Sequence, residues 1–392
     1  MKNVFLLLIA LAVISACRNP KQDRQLVAET GLEDSTLLIR PQYAQGFTVK
    51  YLADNVRLVE VVDPQTNDDG ERMPVGYAFA LVQRGSQAEI PEGYERVEVP
   101  IRSTIVMTSL QLSNFTALAA HDYIKGITGT KNLYNEDILQ RVREGRIQKI
   151  GMEGNFDTEL ILAANPDVIF ISPFKRGGYD TIKETGITLI PHLGYKETTP
   201  LAQAEWIKFI AMFIGREAEA NAVFDGIAQR YNGLKQRVDS LLSSNTCMVG
   251  EMPTVFSGEM HGGNWYAVGG RNHLAQMFRD AGADYIIKDD NTGGVNLEYE
   301  QLYATAANAD YWRILNSYPG DFSYDALLAS EPRNALFRAF KDKHVIYCNM
   351  RQTPYYESAP VEPDQVLADL VAIFHPELLP NHVGKYYRLL KP

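Results

Sequence analysis

The residues of this sequence best equipped for chemistry are arginines and aromatic side chains at, or just beyond, short apolar runs. Phe174, Tyr195, Trp265, Tyr355 and Tyr356 offer flat faces for stacking, and Arg176, Arg313 and Arg351 offer planar guanidinium forks for anionic groups. Ser109 adds a hydroxyl after the first such run. With 21 tyrosines in the chain no single one carries weight, but the set would grip a large, flat or anionic chelate. The usual hydrolytic signatures are missing: there is no GxSxG, no HExxH and no GxxxxGK(S/T), and Gly262-Gly263 and Gly269-Gly270 form no dinucleotide fingerprint. No catalytic residues and no cofactor are therefore expected.

Tyr355 and Tyr356, with a nitrogen from His261 or His273, would suit a hard ferric ion. Adjacent residues of an extended segment point opposite ways, so shared ligation is awkward and no metal site is expected. His261, beside Gly262-Gly263, is a candidate axial ligand for haem. Beyond Cys17 only Cys247 and Cys348 remain, each in an apolar strand-like run. They could pair or stay as buried thiols; no CxxC or zinc spacing is present.

The elements that must position these side chains belong to an ordinary globular chain. Its 392 residues are 45% hydrophobic and 22% charged, which excludes disorder, collagen-like sequence and a coiled-coil rod. Net charge is −10, from 38 basic against 48 acidic residues, with no basic stripe for nucleic acid. The length suits two domains. Lys2 and the apolar run Val4–Ile14 form a secretory signal, because that run is too short to span a bilayer. No second hydrophobic span follows.

From 41 to 99, short alternating runs broken by Gly, Pro and Asn-Asp-Asp-Gly predict β-hairpins: Phe47–Leu52, Val56–Val62, Tyr77–Val82 and Val97–Val99. Strand-helix alternation then sets in. Strands are predicted at Ile105–Met107, Ile124–Ile127, Val168–Ile171 and Ile187–Ile190, with helices at Leu110–Ala120 and Asp157–Ala164. After Thr199-Pro200 a helical block carries Trp206, Ile207, Ile210, Phe213 and Ile214, then a stripe from Val223 to Leu241. As one helix, 216–242 would be roughly 40 Å long, the span of a domain. Alternation resumes with strands Thr246–Val249, Tyr285–Ile287, Tyr311–Leu315 and His344–Cys348. Helices fall at Asn272–Ala281, Glu298–Ala307, Asn334–Phe340 and finally Pro363–Phe374. The halves echo each other: Asp122-Tyr123-Ile124 recurs as Asp284-Tyr285-Ile286, and Ala163-Ala164-Asn165-Pro166-Asp167 as Ala306-Ala307-Asn308-Ala309-Asp310. The fold class predicted is α/β: two similar α/β lobes with parallel sheets, joined by a single long helix. Open parallel sheets bind ligands beyond the carboxyl ends of their strands. There the sequence puts Ser109, Phe174 and Arg176, Tyr195, the loop up to Trp265, Arg313, and Arg351 with Tyr355 and Tyr356.

Two resemblances sharpen this reading. Ile14-Ser15-Ala16-Cys17 is similar to a bacterial lipobox, which implies cleavage before Cys17 and a lipid on its sulfur. The expected divisions are a signal peptide over 1–16, a polar lipidated tether over 17–40, an N-terminal lobe with extra hairpins over 41–197, linking helices over 198–243, and a C-terminal lobe over 244–392. Ile150-Gly151, Glu159-Leu160-Ile161 and Asn165-Pro166-Asp167-Val168-Ile169, with Tyr266–Gly270 and Ala281-Gly282-Ala283, resemble the periplasmic substrate-binding proteins of bacterial ferric-siderophore and vitamin B12 ABC importers. That resemblance implies a monomeric, non-enzymatic protein on the periplasmic side of a membrane. It would hold a ferric-siderophore-type complex between its lobes and hand it to a permease with its ATPase. Cobalamin or haem is the alternative ligand, and a tetrapyrrole chelatase the alternative activity. The family docks through one surface glutamate per lobe, which by motif position implies Glu159 and Glu300, with Glu298 as rival. The hairpin-rich segment 42–99 and Ala309 in place of a proline depart from the family pattern.

Overall fold

The computed structural model describes residues 20–30, 32, 34–65, 76–129, 133–152, 154–173, 179–243 and 252–391. Cys17, Phe174, Arg176 and Cys247 lie outside them. Where a polar tether is expected, the chain forms helix α1 (Pro20–Thr30). Buried Asp23 pairs with Arg40, and the Asn221 amide donates to the carbonyls of Thr36 and Leu38 at 2.8 and 3.1 Å. Leu38 and Ile39 beyond it are buried apolar residues, but α1 itself buries Asp23 and Thr30 rather than an apolar stripe, so its hydropathy does not betray it.

Strands β1 (Phe47–Tyr51), β2 (Arg57–Val61), β3 (Tyr77–Gln83) and β4 (Glu95–Val99) form one sheet in that order. The first two pairings are antiparallel, but β3 and β4 run parallel, so the last connection is a crossover rather than a hairpin. Phe47, Val59, Phe79, Leu81 and Val97 face the lobe beneath. Two buried carboxylates fix the entry to this sheet. Glu205 accepts the backbone N–H groups of Gln42, Tyr43 and Ala44 at 2.7–3.0 Å, and Glu197 accepts those of Gln45 and Gly46 at 3.0 and 2.9 Å. The fully buried Lys208 ammonium lies 2.9 Å from Glu205.

The N-terminal lobe follows with β5 (Thr104–Val106), α2 (Ser109–Ala117), β6 (Ile124–Ile127), α3 (Glu136–Arg143) and β7 (Gln148–Lys149). A small hairpin, β8 (Gly151–Met152) and β9 (Asn155–Phe156), leads to α4 (Thr158–Ala164), β10 (Val168–Ile171), α5 (Asp180–Lys183) and β11 (Thr188–Pro191). Its sheet is wholly parallel, in the order β11-β10-β5-β6-β7. All four residues of β10 are buried, as a strand covered on both faces requires.

After α6 (Pro200–Ala204), helix α7 (Trp206–Ile214) buries every residue in this lobe's core, so the linking block expected over 198–243 is not uniform. Helix α8 (Glu217–Ser243) does the bridging. Its 27 residues span about 40 Å at 1.5 Å each. Ala220 and Phe224 lie in the core of the first lobe, while Ile227, Tyr231 and Val238 lie in that of the second.

The second lobe contains β12 (Thr254–Ser257), β13 (Glu259–His261), β14 (Asn264–Val268), α9 (His273–Asp280), β15 (Asp284–Tyr285) and β16 (Gly294–Leu297). Next come α10 (Tyr299–Ala306), β17 (Tyr311–Asn316), α11 (Tyr324–Ser330), α12 (Arg338–Lys341) and β18 (Val345–Asn349). The last elements are α13 (Tyr355–Ser358), α14 (Pro363–Phe374) and β19 (Arg388–Leu389). The main sheet runs β15-β12-β17-β18-β19, parallel except for β19, and β13-β14-β16 form a small antiparallel sheet. The strand expected at Thr246–Val249 lies outside the described residues. The expected helix Asn334–Phe340 is a 3-10 turn, Pro332–Leu336, followed by the short α12. Helix α14 does not close the chain, because the tail returns to add β19. The architecture is α/β, with two parallel sheets joined through one long helix.

Candidate ligand-binding site

Two connected chambers lie between the lobes, of about 320 and 480 Å³, each within the range of small-molecule sites. Tyr195, His273, Leu274, Tyr355 and Tyr356 line both, so they form one cleft. The first chamber has an apolar wall of Leu110, Pro200, Met277, Pro360, Pro363 and Val366. The second is more polar, with Arg313, Glu259, His261, Tyr266 and Asn272.

Ser109 opens α2, whose start is fixed by a capping box. Thr108 Oγ1 accepts the Gln111 N–H at 3.3 Å, and Gln111 Oε1 accepts the N–H groups of Met107 and Thr108 at 2.6 and 3.3 Å. The buried Gln111 amide also donates to Ser172 Oγ at 3.0 Å, tying this helix to the loop after β10. Tyr195, in the turn Gly194–Lys196, donates its hydroxyl to the Pro173 carbonyl at 2.8 Å. That contact fixes its ring at the rim of both chambers.

Arg313 comes from the middle of β17 and is 6% exposed. Its Nε donates to Tyr387 Oη at 3.0 Å and a terminal nitrogen also bonds that oxygen. Burial works against its charge, and the Tyr387 hydroxyl that accepts from the guanidinium favours the charged form, so its pKa stays above that of ordinary arginine. Among the described residues it forms no ion pair with a carboxylate. Tyr387 is held in turn by Asp369 of α14, which accepts the N–H groups of Tyr386 and Tyr387 at 2.6 and 2.9 Å. The guanidinium is thus a fixed, largely desolvated cation beside an open chamber, a strong donor to an anionic group. Tyr266 projects past Gly294, where a Cβ would come within 2.1 Å of its hydroxyl, so only glycine admits that ring. His273, at the start of α9, leaves its buried Nδ1 without a partner. Burial, aided by the Arg313 charge, pushes its pKa down to about 4 and keeps the imidazole neutral.

Of the residues singled out from sequence, Ser109, Tyr195, Tyr355, Tyr356 and Arg313 meet in the cleft. Trp265 does not. It is 0% exposed, packed at tilted angles among Phe256, Trp312 and Phe337, with its indole N–H on the Ser257 carbonyl at 2.9 Å. It is a core residue of the second lobe. Arg351 is exposed and lines neither chamber. Tyr355 and Tyr356 share the cleft because their segment is a helical turn, α13, and not an extended strand. Burial raises both phenol pKa values, which keeps them protonated. Met277 and Tyr387 were missed, one on a helix face and one in the tail, while His273 was considered only as a metal ligand and Tyr266 only as part of a family-like motif. Cys348 is a buried thiol in β18, its pKa pushed up by burial to about 11. Among the described residues no group of three or more His, Cys, Asp or Glu could hold a metal ion.

Glu159 and Glu300 stand outside the cleft, each exposed in the first turn of its helix. Leu162, one turn on from Glu159, and Met152 nearby in sequence are 54% and 67% exposed. Glu300 forms an exposed ion pair with Arg333 at 3.2 Å, whereas Glu159 has no ion pair among the described residues.

An uncharacterized lipoprotein of Methanocaldococcus jannaschii is 27% identical over 95% of this chain and 92% of its own length, so the likeness extends over the amino-terminal sheet. A second lipoprotein of that organism is 24% identical over 81% of each chain. Among solved structures, a TroA-like periplasmic binding protein FepB from Veillonella parvula superposes with a TM-score of 0.54 at 18% identity, covering 75% of this chain and 96% of its own. A periplasmic heme binding protein from Pseudomonas aeruginosa gives 0.54 at 19% identity, covering 70% and 93%. An ABC-type Fe3+-hydroxamate transport protein from Saccharomonospora viridis gives 0.53 at 16%, covering 70% and 94%. These likenesses carry the two-lobed fold. The family model for periplasmic binding proteins matches residues 105–351, both lobes and the bridging helix, and the chain belongs to that family, as a solute-binding protein and not an enzyme.

Proposed function

We propose that this protein is the lipid-anchored, ligand-capturing component of an ABC importer, and that its cargo is a ferric-siderophore-type iron complex. The observation that carries this reading is the inter-lobe cleft, in which Tyr195, Tyr355 and Tyr356 line a chamber with the buried Arg313, which makes no ion pair among the described residues although Glu259 lines the same chamber. Aromatic faces supply apolar contact, and the guanidinium selects an anionic part of the chelate. The ligand is held intact, with the phenols protonated, and released intact. The resemblance of Ile14–Cys17 to a lipobox supports a lipid on Cys17 and an extracytoplasmic location. Among the described residues no helix is long and apolar enough to cross a membrane. Glu159, with exposed Met152 and Leu162 beside it, is the docking handle of the first lobe, and Glu300 that of the second.

A second reading, haem, is favoured by one observation: the neutral imidazole of His273 lines both chambers, and His261 lines the second. A thermal-shift screen of residues 18–392 against ferric siderophores, haemin, cobalamin and free ferric ion separates the two. Saturation at 100 times Kd adds about 2.7 kcal/mol of stability. A shift with a ferric siderophore, the complex recovered unchanged, is the expected result. A shift with haemin alone moves the assignment to haem, and a ligand returned without its metal overturns the transport reading.

A further inference from the structure

We infer that Glu357 is a positioning residue: an inter-lobe clasp that sets where Tyr355 and Tyr356 stand in the cleft. This rests on the cleft being the ligand site. Glu357 follows the two tyrosines directly in the single turn of α13, yet it faces the other lobe. It is 6% exposed, and its carboxylate accepts the Tyr134 and Asn135 N–H groups at 2.6 and 3.0 Å. Tyr134 answers by donating its hydroxyl to the Met350 carbonyl at 2.8 Å. Asn135 is the N-cap of α3, its side chain accepting the Ile138 N–H at 3.1 Å, so the clasp grips a rigid helix start and not a loose loop.

The other side of α13 is fixed to its own lobe. The Tyr355 ring meets those of Tyr386 and Tyr387 at 5.8 and 5.7 Å, and the Tyr386 hydroxyl donates to Ser358 Oγ at 2.7 Å. One four-residue turn is therefore pinned between two lobes, with its two tyrosines aimed into the space between them. Separating the lobes would strip a buried carboxylate of two amide donors, and charge-assisted bonds of this kind are among the stronger ones. Closure and the placement of the tyrosines are thereby one event.

The test compares the wild-type full chain, purified in detergent, with Glu357→Ala and Glu357→Gln by hydrogen exchange without ligand. Glu357→Ala should speed exchange about tenfold at Tyr134 and Asn135, and by a comparable factor at Tyr355 and Tyr356, which converts to about 1.4 kcal/mol. Glu357→Gln, which keeps an acceptor oxygen, should recover most of it, and the amides of β17 should not change. Unchanged exchange, or a rise confined to Tyr134 and Asn135, would overturn the clasp. In a second arm, haemin is the probe. If wild type binds it, Glu357→Ala should raise Kd about tenfold. An unchanged Kd overturns the positioning role. If wild type takes up no haemin, the haem reading of the site fails and the exchange arm alone decides the clasp.

Discussion

Arg313 carries more of the account than any other residue. It is a buried cation whose nearest partner is a neutral phenol, Tyr387, which leaves its charge available to a ligand. Arg313→Met should weaken an anionic chelate by roughly 10- to 100-fold in a fluorescence titration, the worth of one charge-assisted hydrogen bond. Acid stability turns on another residue. His192 is fully buried against Trp206 and Phe209, and its pKa is pushed down to about 3. The unfolded imidazole takes up a proton near pH 6.5 and the native one does not, so stability falls as pH drops below 6.5, approaching about 1.4 kcal/mol per unit. Burial raises Glu197 and Glu217, and they act with the opposite sign. The measurement is therefore the difference between wild type and His192→Leu in urea unfolding from pH 7 to 5, and the variant should lose the share of the acid slope due to His192 while that due to His273 remains. Arg313, Tyr355 and Tyr356 could be found from sequence because their types and their place after strands coincide. Trp265 could not be sorted, since a tryptophan that stacks on a ligand and one that fills a core look alike until burial is known.

At the scale of elements, α8 holds the two lobes at a fixed separation and contains an exposed Gly233 with open space around its Cα. Gly233→Ala should raise stability by about 1 kcal/mol and leave ligand affinity unchanged, as thermal melts and titration would show. The amino-terminal sheet depends on Glu205. Glu205→Ala would strand three backbone amides and the buried Lys208 ammonium, and a loss of about 3–5 kcal/mol in denaturant unfolding is expected. Periodicity revealed α7, α8, α14 and the central strands because burial writes itself into apolar spacing. It missed α1, whose attachment is an ion pair and hydrogen bonds. It could not tell the parallel β3–β4 pairing from a hairpin, since direction leaves no mark on alternation.

For the whole molecule, one continuous helix bridging two cores resists wide opening, so scattering radii with and without ligand should agree closely; a large compaction would count against a stiff bridge. Charge reversal at Glu159 should abolish uptake by the assembled importer while leaving ligand affinity intact, and a fall in affinity would remove Glu159 from the docking face. The most direct test of the central claim is an equilibrium titration of residues 18–392 with a ferric siderophore, haemin and cobalamin, run on wild type and Arg313→Met in parallel. The account predicts one ligand bound one-to-one by wild type and at least about tenfold more weakly by the variant. Equal binding by both proteins, or no binding by wild type, would contradict it.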